Sequence, residues 1–457
     1  MVALSERKLD IVRGLVEAAP DAVVEGLRQA LATAGGDAAL LTVRGLVERE
    51  SADRGLRNAV LGPLAPMCSG DGADLLRLSF PAGTAGLIWR GLKAQAPALV
   101  SHAQIALHGQ DTGKPATSRF DRLLRVAAEC LRAGEAREFR KLSQLCDAAR
   151  PDGAAMLAAC LDIAPVVRGV SHRLSDWVTH PSAQATAAAR VAHKDASAYG
   201  PEAACAFFHM LAAQLANGGH VLRIISAVME KPTERYLADA GLSAFGEGLM
   251  RDVEQGMAAG RALTADAGVE AARDAARQTH RAISAASELE TYLSLSREQG
   301  FGRTVHDRRV AFADLVAARC DEAEKFFHKA MPARAGGHGP LRLNAAPDEA
   351  AARRCRTLLV FVAELRASAN PGGFAAARNR LLETLGEQLD PLVEDLLDAL
   401  KTAAPEEAKH AQGYLAAAAD FSAWVRDEKA AELVRRRAAA AAAPALADPV
   451  RAVRTGT

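Results

Sequence analysis

Aromatic residues are scarce in this chain: Phe, Trp and Tyr together make up 4% of its 457 residues. Few side chains can bury a large area each, and much of the 49% apolar share is alanine, which favours helix but removes little surface from water. Alternating runs of Val, Ile, Thr and aromatics, the mark of half-buried strands, are missing. Charge of one sign is missing too. The 56 basic and 55 acidic residues leave a formal net charge of +1, which withdraws the general electrostatic case for nucleic acid. Cysteine gives no framework: the seven thiols stand at 68, 130, 146, 160, 205, 320 and 355, odd in number, widely spaced and without a C-x-x-C. That pattern excludes a disulfide scaffold or a zinc knuckle and leads us to expect a reducing, cytoplasmic setting.

Long apolar runs are the last absence. Met1 to Asp10 (MVALSERKLD) has no apolar stretch of the kind a secretory leader needs. No unbroken run approaches the ~18 residues expected of a spanning helix. Even 357–365 (TLLVFVAEL) is interrupted by Glu364.

What the sequence does contain is helical periodicity, punctuated by Gly and Pro. Ser5 is a candidate cap for a helix carrying Leu9, Val12 and Val16. Asp21 opens a second with Val24, Leu27 and Leu31, and Asp37 a third with Leu40, Val43 and Val47. The stretch 201–257 gathers the large apolar residues, among them Phe207, Phe208, Met210, Ile224, Ile225 and Phe245, and is expected to be the core of a central domain. Pro165 and Pro181 are read as breaks, and Thr233 as a restart after Pro232. Ile283, Ala286, Leu289 and Leu293 form one stripe, closed by Gly300 and Gly302, with a new helix from about Val305 to Met331. Leu382, Leu385, Leu389, Leu392 and Leu396 resemble a heptad seam, but Asp390-Pro391 predicts a fresh helix start within it. A last helix from Pro405 is expected to run out through Arg437. Ala323, Phe327 and Ala330 copy the small–aromatic–small spacing of a tetratricopeptide second helix, but no regular period follows.

The polar stretches 109–118 (GQDTGKPATS) and 332–347 (PARAGGHGPLRLNAAP) read as linkers. They divide the chain into an N-terminal helical domain, 1–108, a central one, 119–331, and a C-terminal one, 348–437, before a disordered tail, 438–457. The fold class expected is all-α: antiparallel helical hairpins arranged as an irregular α-solenoid or as two to three stacked bundles.

Gly109 and Gly113-Lys114 fall one residue short of a phosphate loop, and Pro115 stands where that loop needs Ser or Thr. His306-Asp307 is an HD dyad, and His280 is its candidate upstream ligand; together they define a metal-dependent phosphohydrolase reading. A dyad at a helix start is ordinary without converging partners, so no metal, cofactor or catalytic residue is assigned. Glu407 and His410 have di-iron spacing without a second copy. Cys205 and His209 share a helix face as a thiol and its base would, yet sit among bulky apolar residues. His172 and Asp176 are expected to hydrogen-bond locally. Arg435, Arg436 and Arg437 are candidate contacts to an anionic surface, the basis of a peripheral-membrane reading, or else a solvated helix end. The leading expectation is a non-enzymatic cytoplasmic scaffold that binds a protein partner through grooves between helices, without specific nucleic-acid binding.

Overall fold

The computed structural model describes residues 6–32, 38–68, 78–108, 114–179, 182–215, 218–335 and 339–447. Among them every regular element is a helix, so the fold is all-α. Ser5, Asp37, Gly109 and Gly113 lie outside the described residues. An isolated antiparallel bridge pairs Arg334 with Leu341 inside the expected second linker.

The chain forms two compact units, 1–248 and 249–457. This differs from the three-part division read from composition, because the boundary falls inside the 119–331 segment. The first linker does not separate bodies: helix α6 (Lys114–Ala133) begins within it and packs on α5 (Pro97–His108) and α3 (Ala38–Leu61).

In the first unit, α1 (Glu6–Ala18) and α2 (Asp21–Ala32) each pack on α3. Val12, Val16, Val24, Leu31, Val43 and Val47 meet in a small apolar cluster, as their spacing implied. Leu27 and Leu40, expected beside them, are exposed. After α4 (Thr84–Gln95), α6 and α7 (Arg137–Ala149) flank α8 (Gly153–Val170). Pro165 lies inside α8 and does not break it. Leu157, Leu161, Ile163 and Val167 are completely buried, and packing on α6, α7 and the later helices holds the helix through the lost backbone bond.

The segment Gly153–Thr179 is long and apolar enough to cross a membrane by length and composition, with half of its most apolar window buried in this unit. The requirement for an unbroken run missed it. Two of its charges are paired within the unit, Asp162 with Arg132 and Arg168 with Asp121.

A turn of 3-10 helix leads to α9 (Leu174–Thr179), then α10 (Ala183–Ser197), α11 (Pro201–Gln214), α12 (Val221–Met229) and α13 (Glu234–Asp239). Thr233 restarts the chain as expected, its hydroxyl accepting from the Tyr236 amide. The phenylalanines of 201–248 are core while Tyr236 is exposed, and α8 is the helix most surrounded in this unit. α14 (Ser243–Ala262) carries the chain across the boundary.

The second unit continues with α15 (Val269–Tyr292), α16 (Gly300–Ala330), α17 (Glu349–Glu364), α18 (Ala375–Thr402), α19 (Pro405–Val425) and α20 (Glu428–Ala447). The α15 stripe is buried as predicted. Gly300 and Gly302 open α16 instead of closing α15. A Cβ on Gly302 would lie 2.0 Å from the Ser296 carbonyl oxygen, so the preceding loop can fold onto the helix start only at a glycine.

Pro391 likewise falls inside α18, and the leucine seam runs through it, with Leu385, Leu389, Leu392 and Leu396 all buried. The expected last helix is two helices. Arg426 leaves helical geometry and the Asp427 carboxylate accepts from the Ala430 amide, so α20 starts afresh and packs back on α19 and α18. The alanine tract is helical to Ala447, where a disordered tail was expected from 438; alanine has the highest helix propensity. Residues 448–457 lie outside the described residues.

Candidate groove between α17 and α19

The second unit contains a cavity of about 580 Å³, within the range of small-molecule and peptide pockets. Three segments bound it. α17 starts sharply because the Asp348 carboxylate accepts from the amides of Ala350 and Ala351, 3.0 Å each. The linker before it is fastened over α19: His410 Nδ1 lies 2.8 Å from the Leu343 carbonyl oxygen, and the Tyr414 hydroxyl donates to Ala346 O at 3.4 Å. A carbonyl only accepts, so Nδ1 carries the hydrogen and Nε2 is the unprotonated nitrogen of the neutral ring. Pro347 sits against Gly413, where a Cβ would come within 3.1 Å of the proline ring.

Small side chains make the floor: Ala352 of α17, and Gly413, Ala416 and Ala417 of α19. Larger residues there would let the helices close over the space. The rim is charged and mostly basic, with Arg353 and Arg356 on α17 and Lys409 and His410 on α19, against Glu349 and Asp420. Arg356 pairs with Asp420, whose other oxygen lies 3.5 Å from Arg435. The Arg356 Nε is buried without a hydrogen-bond partner. Arg353 and Lys409 are exposed and make no ion pair among the described residues.

The first unit has a tighter cavity of about 140 Å³ beside Trp89. Its charges satisfy one another: Arg57 with Glu50, Arg90 with Glu17, and Lys93 with Asp53. It is a partly buried ionic network with little room for a ligand.

The sequence motifs are scattered. His306 is exposed on α16, Asp307 lies 3.9 Å from Arg303, and His280 Nδ1 lies 2.6 Å from the Ser368 hydroxyl. Among the described residues no three His, Cys, Asp or Glu side chains converge as metal ligands. Cys205 donates to the Gly241 carbonyl at 3.5 Å instead of to His209. Burial pushes its thiol pKa up and lowers that of His209 to about 4, the second helped by Arg150. Each is held neutral, the reverse of an activated thiolate–imidazolium pair. His172 accepts from Arg173 Nε at 3.3 Å instead of meeting Asp176, because it lies in the 3-10 turn before α9.

Arg435, Arg436 and Arg437 sit in the middle of α20, not at a helix end. Arg435 binds Glu428 at 2.7 Å, Arg436 binds Glu432 at 3.0 Å and Arg437 binds Glu394 at 2.5 Å. The apolar stripe of α19, with Tyr414, Ala418, Phe421 and Val425, is buried. Glu407 is exposed, and of that motif only His410 reaches the groove. Sequence reasoning missed Arg353 and Lys409. The dense basic run 353–356, one turn into a capped helix, was the available signal.

Compared with known proteins, the chain matches no family model, no curated protein and no solved structure.

Proposed function

We propose that this protein is a non-enzymatic cytoplasmic scaffold of the helical-repeat kind, which holds a segment of a protein partner in the groove between α17 and α19. The observation that carries this reading is the groove itself: an open cavity of about 580 Å³ with an Ala/Gly floor and a charged rim. A small-residue floor lets a partner backbone approach closely, and helix-lined grooves take up peptides or helices in this way. The seven free thiols suit a reducing compartment.

The test is affinity isolation of the full chain at native expression, beside Ala416→Trp, which fills the floor from an exposed position. A partner recovered with the parent chain and lost with Ala416→Trp supports the reading. A partner retained by Ala416→Trp, or none recovered with the parent, overturns it.

A further inference from the structure

Resting on that reading, we infer that the groove selects an acidic segment, and that Arg353 and Lys409 grip its carboxylates from opposite walls. Arg353 projects from α17 and Lys409 from α19, and both line the same cavity. Neither is spent on an ion pair among the described residues. Asp266, which the Arg353 charge reaches from outside the cavity lining, is already paired with Arg354 at 2.6 Å. Asp420 is already shared between Arg356 and Arg435, so of the lining carboxylates only Glu349 remains unpaired. Glu349 lies in the first turn of α17, where the helix dipole offsets a negative charge.

The Leu343 carbonyl fixes the His410 ring through Nδ1, so His410 can present a second N–H at Nε2 to a carboxylate only when protonated. Guanidinium and ammonium groups on facing walls suit a chain bearing successive carboxylates better than one compact anion.

The full-length chain would be titrated into fluorescein-labelled hexaglutamate, followed by anisotropy, with hexalysine and inorganic phosphate as comparators. Binding of hexaglutamate that weakens steeply with salt, and by tenfold or more in Arg353→Ala/Lys409→Ala, is the expected result. Both substitutions are at exposed positions, and an unchanged thermal melt checks that the fold survives. The double reversal Arg353→Glu/Lys409→Glu is expected to exchange hexaglutamate for hexalysine. Equal hexaglutamate affinity in parent and double-alanine chains would overturn the proposal, as would displacement of the peptide by equimolar inorganic phosphate. No hexaglutamate binding, together with a native partner still lost in Ala416→Trp, would refute the acidic specificity and leave the scaffold reading standing.

Discussion

The Arg54 guanidinium donates to the carbonyl oxygen of Val16 at 2.7 Å, tying the third helix to the C-terminal end of the first. The same group donates to Ala19 O at 2.9 Å, and pairs with Glu50 at 3.0 Å and with Asp21 at the start of α2. One side chain thus satisfies carbonyls that the end of α1 leaves unpaired, and meets the carboxylate that opens α2. The apolar cluster under these two helices is small, so the polar pin carries a large share of their hold.

Arg54→Ala is therefore expected to destabilise the packing of α1 and α2 on α3 by about 1–3 kcal/mol, because it leaves the Val16 and Ala19 carbonyls without their donor while Glu50 keeps its pair with Arg57. Arg13→Ala, which breaks only the exposed pair with Asp10, should cost under about 1 kcal/mol. Hydrogen exchange of the α1 and α2 amides reads the difference. Unchanged protection in Arg54→Ala would show that the valine cluster suffices.

His209 sets a pH dependence in the first unit. Its ring is buried against Phe245, with centroids 4.8 Å apart, and burial followed by the Arg150 charge lowers its pKa from 6.5 to about 4. Between those values the unfolded chain takes up a proton that the folded chain refuses. Stability therefore rises with pH across that window and falls on acidification from about 6.5 to 4. The full effect is on the order of 3 kcal/mol. Urea unfolding at pH 7 and pH 4.5 should show the loss, and His209→Leu should reduce it. An equal loss in that variant would place the dependence on other groups.

The all-α class was legible because alanine content and three–four apolar steps are local signals, read correctly in the stripes of α15 and α18. Prolines misled. Pro165 and Pro391 disfavour helix locally, but buried neighbours on both sides, such as Leu161 with Val167 and Leu389 with Leu392, keep each helix continuous. The groove was illegible for a different reason. Arg353 and Lys409 lie far apart in sequence, on helices brought together by a linker whose anchoring carbonyl belongs to Leu343, a residue without any motif. His306 and Asp307 attracted notice through adjacency alone, with His280 as a candidate upstream ligand, and adjacency along a helix turns side chains to different sides.

The thiols should be unreactive in the folded chain. Burial raises Cys68 and Cys320 to about 12 and Cys146 to about 11, and pushes Cys160 and Cys355 upward as well. Thiolate is the reacting form, so an aromatic disulfide reagent at pH 8 should label these five slowly. Cys130 is less buried and should react first. Adding urea should release all seven at once; five or more fast thiols in the native protein would contradict the packing.

Pro391 offers a stabilising substitution. It is exposed within α18, between the buried Leu389 and Leu392, and cannot donate to the carbonyl of Glu387 one turn earlier. Proline is the least favourable residue in a helix interior, by about 3 kcal/mol relative to alanine. Pro391→Ala restores the donor and removes the ring without taking a buried side chain from the leucine seam. The variant is expected to gain about 1–3 kcal/mol in urea unfolding of the second unit. A loss of stability would mean that the proline sets a bend which α18 needs in order to meet both α19 and α20. In that case Leu396→Ala, which removes a completely buried side chain from the same seam, should cost its usual 2–5 kcal/mol in the parent but less in the Pro391→Ala background.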